Sequence, residues 1–125
     1  MWALLVEAEE NNYIMGAGTD GDGDDSASNQ CGIAKSHAYS LISAFTMTDS
    51  SNVDHKMLLI RNPWGINGYS WTWAHDDPNW TAALIAQIPH SFDPTAQSNL
   101  ETGLFVVPWE AFSYDSVVGY CFSDI

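Results

Sequence analysis

The sequence predicts a β-rich α+β domain with largely antiparallel pairing, and three observations carry that prediction. Residues 36–48 form a long run of β-branched, aromatic and small side chains. Asp49-Ser50-Ser51-Asn52 is turn chemistry, and residues 56–61 give a second apolar run, so the two read as a hairpin. Helical patterning is short and lies mainly at residues 1–12 and 80–88.

Taken in order, residues 1–12 read as a helix with Leu4, Leu5 and Ala8 on one side and Glu7, Glu9 and Glu10 on the other. It starts without an N-cap residue, as though cut from something longer. Residues 13–15 are expected as a strand ending at Gly16. The Gly, Asp and Ser content of residues 18–29 marks a solvated loop. Residues 69–73 alternate aromatic and hydroxyl side chains, which suits a third strand or an extended loop. Pro78 introduces a helix over residues 80–88 and Pro89 stops it. Residues 103–107 and 117–122 close the chain as strands, with a helical turn over 109–112 between them. No repeat or linker divides the chain.

Composition narrows the function. The hydrophobic fraction of 46%, with six Trp, five Tyr and five Phe, suits one domain with a packed core. The net charge of −13, with only Lys35, Lys56 and Arg61 positive, argues against nucleic acid or an anionic membrane as partner. No apolar run reaches membrane-spanning length, and Met1-Trp2-Ala3-Leu4-Leu5 lacks the charged lead and cleavage region of a secretory leader. The chain is therefore expected to be intracellular, in the cytoplasm, and Asn79-Trp80-Thr81 a chance match to a glycosylation acceptor. Two cysteines, Cys31 and Cys121, are too few for a disulfide framework.

Two segments carry chemistry: Gly32-Ile33-Ala34-Lys35-Ser36-His37-Ala38-Tyr39-Ser40 and Arg61-Asn62-Pro63-Trp64-Gly65. Each lies at a strand end. If the hairpin pairs, the start of the first strand sits beside the end of the second, which brings His37 to Asn62. An imidazole in that setting takes a thiol proton and later returns one to a leaving amine. The Asn carbonyl accepts from the other ring nitrogen and fixes tautomer and direction, as in a Cys-His-Asn triad. Trp64 would cover the contact and exclude competing water. A His at a strand start is equally a common structural donor, and Asn-Pro is a turn signal. The residues alone leave both readings open.

His37-Ala38-Tyr39-Ser40, followed by Leu58-Leu59-Ile60-Arg61-Asn62-Pro63-Trp64-Gly65, closely resembles the two catalytic blocks in the second lobe of the calpain protease core. Tyr13-Ile14-Met15-Gly16 resembles the strand before the calpain variable loop. Gly103-Leu104-Phe105 and Trp109-Glu110-Ala111-Phe112 resemble the last strand and turn of that lobe. The resemblance covers nearly the whole chain. It implies an antiparallel sheet or half-barrel lobe of a papain-like cysteine protease, spanning residues 1–125 as a partial catalytic domain. It also implies His37 as general base, Asn62 as its orienting partner and Trp64 as shield.

The departures are equally specific. The family's nucleophilic Cys and oxyanion-hole Gln belong to the preceding lobe, so no nucleophile is expected in this chain. Gln30-Cys31-Gly32 imitates the nucleophile block, but Cys31 falls in the loop entering the His37 strand, with no helix behind it to lower a thiol pKa. It reads as a small side chain near a strand entry, and Cys121 as core. The family's calcium positions in this lobe fall on Gly68, His75, Thr102 and Leu104, none a carboxylate, so no metal or other cofactor is expected. Asp20-Gly21-Asp22-Gly23-Asp24-Asp25 starts like an EF-hand loop but lacks its sixth-position Gly and twelfth-position Glu, and reads as solvated.

The expected function is therefore half of an intracellular calpain-like endopeptidase, inactive alone. Its partners would be a protein or peptide substrate and the missing first lobe, which would leave an exposed apolar docking face. The alternatives are a catalytically dead pseudoprotease that acts as a protein-interaction module and, more distantly, a calcium-binding acidic protein.

Overall fold

The computed structural model describes residues 2–19, 28–65, 68–96, 102–111 and 121–122. Its elements are helix α1 (Trp2–Glu10), strands β1 (Met15–Gly18), β2 (Ala38–Thr48) and β3 (Asp54–Arg61), the short helix α2 (Ala82–Ile85) and strand β4 (Leu104–Pro108). The strands form one antiparallel sheet in the order β1-β2-β3-β4. This is the β-rich α+β architecture that the sequence predicts.

The sheet is covered on both faces, and β3 shows why. Its run Met57-Leu58-Leu59-Ile60 is buried without interruption. Successive side chains point to opposite faces, so a continuous apolar run serves two cores. Leu58 and Ile60 join Tyr39, Leu41, Phe105 and Val107 against Leu5 of α1, Cys31, Tyr69 and Phe122. Met57 and Leu59 join Met47 and Val106 against Trp80, Leu84, Ile88 and Phe92. Full burial of one such aliphatic side chain is worth about 1.5–3 kcal/mol. In β2 the register slips between Leu41 and Ser43, a bulge that leaves Ile42 exposed.

Several expectations need correction. The first strand begins at Met15 and runs to Gly18, while Tyr13 and Ile14 precede it and are exposed. Pairing with β2, from Met15↔Leu41 to Gly18↔Ala38, sets those limits, and apolar identity does not report it. Of the two forms expected for residues 69–73, a strand or an extended loop, the structure shows a loop. It bends, with Tyr69 turned into the core and the Trp73 amide donating to Asp77 Oδ2 at 2.8 Å. The helix expected over 80–88 shrinks to Ala82–Ile85, because the Trp80 indole N–H is drawn to the carbonyls of Trp73 and Ala74 and Thr81 caps the turn. Trp109–Ala111 is a single 3₁₀ turn, and Pro89–Ser91 is a turn in which His90 and Ser91 take positive φ. The acidic run at 20–25 and most of the strand expected over 117–122 lie outside the described residues.

Cys31 and Cys121 are not separate small side chains: they form a disulfide. The amides of Cys121 and Phe122 both donate to the Ala111 carbonyl, and Asn29 Nδ2 donates to the Cys121 carbonyl at 3.1 Å. These contacts return residue 121 to the loop before β2, where the two Cα atoms stand 5.7 Å apart, a normal bridging distance.

Candidate active site

The hairpin register places Ser40 opposite Arg61, so the residues just before β2 and just after β3 meet at one edge of the sheet. His37 enters from one side. Its backbone extends the β1–β2 ladder by one step. The Thr19 amide donates to the His37 carbonyl at 3.0 Å, and the His37 amide donates to Thr19 Oγ1 at 3.0 Å. Thr19 is itself buried and donates through Oγ1 to the Ala34 carbonyl at 2.6 Å.

Asn62 enters from the other side on a turn that its neighbours dictate. Pro63 presets the second position of a β-turn, and the Gly65 amide closes it by donating to the Asn62 carbonyl at 2.9 Å. The Asn62 amide donates to the Gly103 carbonyl at 2.9 Å. Gly103 lies at φ +77°, and a Cβ there would stand 2.5 Å from the Asn62 carbonyl oxygen, so only glycine lets the chain entering β4 approach this turn.

The side chains then meet. His37 Nε2 lies 3.0 Å from Asn62 Oδ1, and the same oxygen accepts from the Trp64 amide at 3.0 Å. That second bond fixes the chemistry of the first. A backbone N–H only donates, so the Asn62 atom that it meets is the carbonyl oxygen, and the histidine nitrogen facing that oxygen carries a proton. In the neutral ring the lone pair therefore belongs to Nδ1. Asn62 is buried, His37 is half-buried, and the Trp64 indole lies on the imidazole with centroids 4.1 Å apart while keeping half its own surface exposed. Tyr39 meets the same ring edge-on at 4.8 Å.

All three residues singled out in the sequence thus come together. Thr19, Tyr39 and Gly103 also shape the site and were not singled out. Tyr39 was within reach, two positions from His37 in a strand and therefore on the same face. Burial pushes the Tyr39 phenol up to about 12, although the Ala34 amide, which donates to the phenol oxygen, acts the other way. Thr19 and Gly103 carry no local signal, since each acts through a partner distant in sequence. Cys31 is bonded to Cys121 and so presents no thiolate. Among the described residues no three His, Cys, Asp or Glu side chains are gathered to hold a metal.

An open cavity of about 750 Å³ lies at the opposite end of the hairpin, lined by Asp49, His55, Trp73, Asn79 and Leu84 among others. Its polar wall is engaged in the turn itself: Asp49 Oδ1 accepts from the amides of Ser51 and Val53, and Asp49 Oδ2 meets His55 Nε2. The volume is therefore no guide to where the chemistry lies.

A sequence model of the calpain family of cysteine proteases matches residues 1–114. Calpain-5 of Caenorhabditis elegans is 28% identical over 96 residues, 66% of this chain and 15% of that protein. The calpain-2 catalytic subunit of Mus musculus is 28% identical over 119 residues, 90% of this chain and again 15% of that protein, and the subunit of Rattus norvegicus gives the same figures. The chain thus spans 15% of the length of these relatives. No described helix is long and apolar enough to cross a membrane.

Proposed function

This chain belongs to the calpain family of cysteine proteases, and from that premise we propose that it is the second lobe of a papain-like protease core, with His37 as general base and Asn62 as its orienting partner. One observation carries the reading: Asn62 Oδ1 is held by the Trp64 amide and in turn faces His37 Nε2. The ring is thereby aimed with its basic nitrogen known.

In this reading a thiol on the first lobe gives its proton to Nδ1, and the thiolate sulfur attacks the scissile carbonyl carbon. The imidazolium then returns that proton to the leaving amine nitrogen, which departs and leaves an acyl-thioester. Water attacks the thioester, again giving a proton to Nδ1, and the thiol leaves with it. Throughout, Nε2–H stays on Asn62 Oδ1, so the ring cycles between neutral and charged forms without turning. Trp64 keeps water from that bond. The substrate class is protein or peptide, the partner is the first lobe, the setting is intracellular, and no calcium ion is assigned to this lobe.

The test is a chimaera in which this chain replaces the segment of the mouse calpain-2 catalytic subunit that it matches. Peptide hydrolysis is expected, with His37→Ala lowering kcat to background and Asn62→Ala lowering it about 10²-fold or more, in the range that follows loss of a base or its orienter. The 125-residue chain alone is expected to hydrolyse nothing. A folded but inactive chimaera would favour a pseudoprotease that serves as a protein-interaction module. Turnover by the chain alone that is lost in Cys31→Ala would overturn the lobe assignment.

A further inference from the structure

We propose that Cys31 and Cys121 form a redox-controlled positioning pair for the His37 ring: oxidised, their bond holds the imidazole against Asn62, and reduced, it releases it. The significance of this pair rests on the base role proposed for His37, but its structural basis does not.

The disulfide stands where two routes to the imidazole begin. The first runs along the chain from Cys31 to His37. Among the described residues, ladder pairing between Cys31 and Ser36 is limited to an isolated bridge between Ser28 and Ala34. It is held instead by side-chain and loop contacts. Asn29 Oδ1 accepts from the Cys31 amide at 2.9 Å, the Cys31 carbonyl accepts from Ser70, and Gly32 lies so close to Gly68 that a Cβ would stand 2.1 Å from the Gly68 carbonyl oxygen. The second route is a stack of rings. Phe122, next to Cys121, meets Tyr39 edge-on at 5.6 Å, and Tyr39 meets His37 at 4.8 Å. The Tyr39 hydroxyl joins the routes by accepting from the Ala34 amide at 3.0 Å.

Asn62 is held differently. It follows directly on the β3–β4 ladder, where Arg61 pairs with Leu104, and needs neither cysteine. Opening the disulfide therefore frees one member of the His37–Asn62 contact and leaves the other fixed. The Thr19 bonds keep the His37 backbone in place, so the expected change is in the packing and direction of the ring.

The exchange needs a dithiol reductant. One of its thiolates attacks a cysteine sulfur, the other cysteine leaves as a thiolate, and the second reductant thiolate resolves the mixed disulfide. The reductant becomes a cyclic disulfide, and the protein gains two electrons and two protons. Cys31 is fully buried and Cys121 nearly so, so the reaction waits on local opening of the segment. In a reducing compartment, disulfides that form are mostly transient and regulatory, which suits a bond that controls a base.

The test uses the 125-residue chain, ¹⁵N-labelled and equilibrated with mixtures of a small dithiol and its cyclic disulfide, with thiol state read by alkylation and intact mass. On reduction, exchange of the His37 Nε2 proton with water is expected to speed at least tenfold. The His55 ring and the β3–β4 amides should be unchanged. Cys31→Ala with Cys121→Ala should show the reduced behaviour in every mixture. If that double variant does not fold, the native chain under reduction supplies the same readout. An unchanged His37 proton in the dithiol form overturns the proposal. So does a bond that no mixture opens, or loss of protection across all four strands, which would make the pair a staple of the whole fold. Activity is not the readout, because a thiol nucleophile itself needs reductant. A chimaera still active after His37→Ala would sink the base assignment and leave the ring measurement standing.

Discussion

Each end of the β2–β3 hairpin holds a histidine whose Nε2 meets a side-chain oxygen beside a tryptophan. At the open end His37 meets Asn62 at 3.0 Å under Trp64, and at the turn His55 meets Asp49 at 2.9 Å beside Trp73. Distance and composition do not separate the two; the partner's chemistry and burial do. Asp49 is a half-buried carboxylate whose pKa is lowered first by the His55 hydrogen bond and then by the Val53 amide, so this partner can itself take up a proton. Asn62 is a buried amide that takes up no proton. It aims the ring without fixing its charge, which a base that cycles between two protonation states requires. A histidine beside an oxygen and an indole thus occurs at both ends of the hairpin, and what sets the open end apart is a neutral orienter held from behind by the Trp64 amide.

Gly103→Ala should break that rigidity most. The new methyl would meet the Asn62 carbonyl oxygen at a residue with φ +77°, and the combined strain and displacement should cost about 2–3 kcal/mol in denaturant unfolding. The shifts of Asn62 and Trp64 should move, while those of Asp49 and His55 should not. Equal movement at both ends would mean that the turn after β3 is not independently braced.

Asn62→Ala tests the orienter itself. It removes the acceptor of both His37 Nε2 and the Trp64 amide in a buried setting, so a loss of about 1–2 kcal/mol is expected, with Nε2–H exposed to rapid exchange. Full retention of that proton's protection would show that Trp64 alone holds the ring.

The contrast also explains what could be read in advance. His37 and Asn62 were legible because a hairpin with a polar turn dictates which residues face each other, and Asn-Pro-Trp-Gly dictates its own turn. The limits of β1 were not, since Tyr13 and Ile14 are as apolar as a strand and only the register with β2 excludes them. The helix expected over 80–88 is present but starts later, at Ala82, because Trp80 found carbonyl acceptors in a preceding loop. The pairing of Cys31 with Cys121 was hidden by a sequence separation of 90, across which the return path depends on Ala111 and Asn29.

Tyr39 supplies a pH test of the open end. Burial raises its phenol to about 12, and burial also pushes the Tyr69 phenol up. A raised pKa means that the folded state favours the neutral form. The stability is fully present below the ordinary tyrosine value near 10 and is lost as pH rises through about 12. Unfolding in alkali, followed together with phenolate absorbance, should begin in that window, and the His37 ring should respond before His55. A phenol at Tyr39 that ionises near its ordinary value in an intact fold would contradict the packing described.

The smallest effect belongs to the other end. Asp49→Asn keeps an oxygen for the amides of Ser51 and Val53 and removes only the charge that faces His55. The native carboxyl titrates below its usual range, so its contribution is present above the unfolded value near 3.9 and is lost as pH falls through the lower folded value. Solvent-accessible ion pairs of this kind contribute little. Hydrogen exchange at Ser51 and Val53 should therefore quicken slightly in acid in the native chain and lose that pH dependence in Asp49→Asn. The reciprocal bonds between Gln87 and the Thr48 backbone should keep the turn end in place in both. The His37 ring, at the far end of an eight-residue strand, should not register the change. A response there matching that at His55 would mean that the two histidines are linked through the sheet, and the separation of a carboxylate-partnered ring from an amide-partnered one would have to be given up.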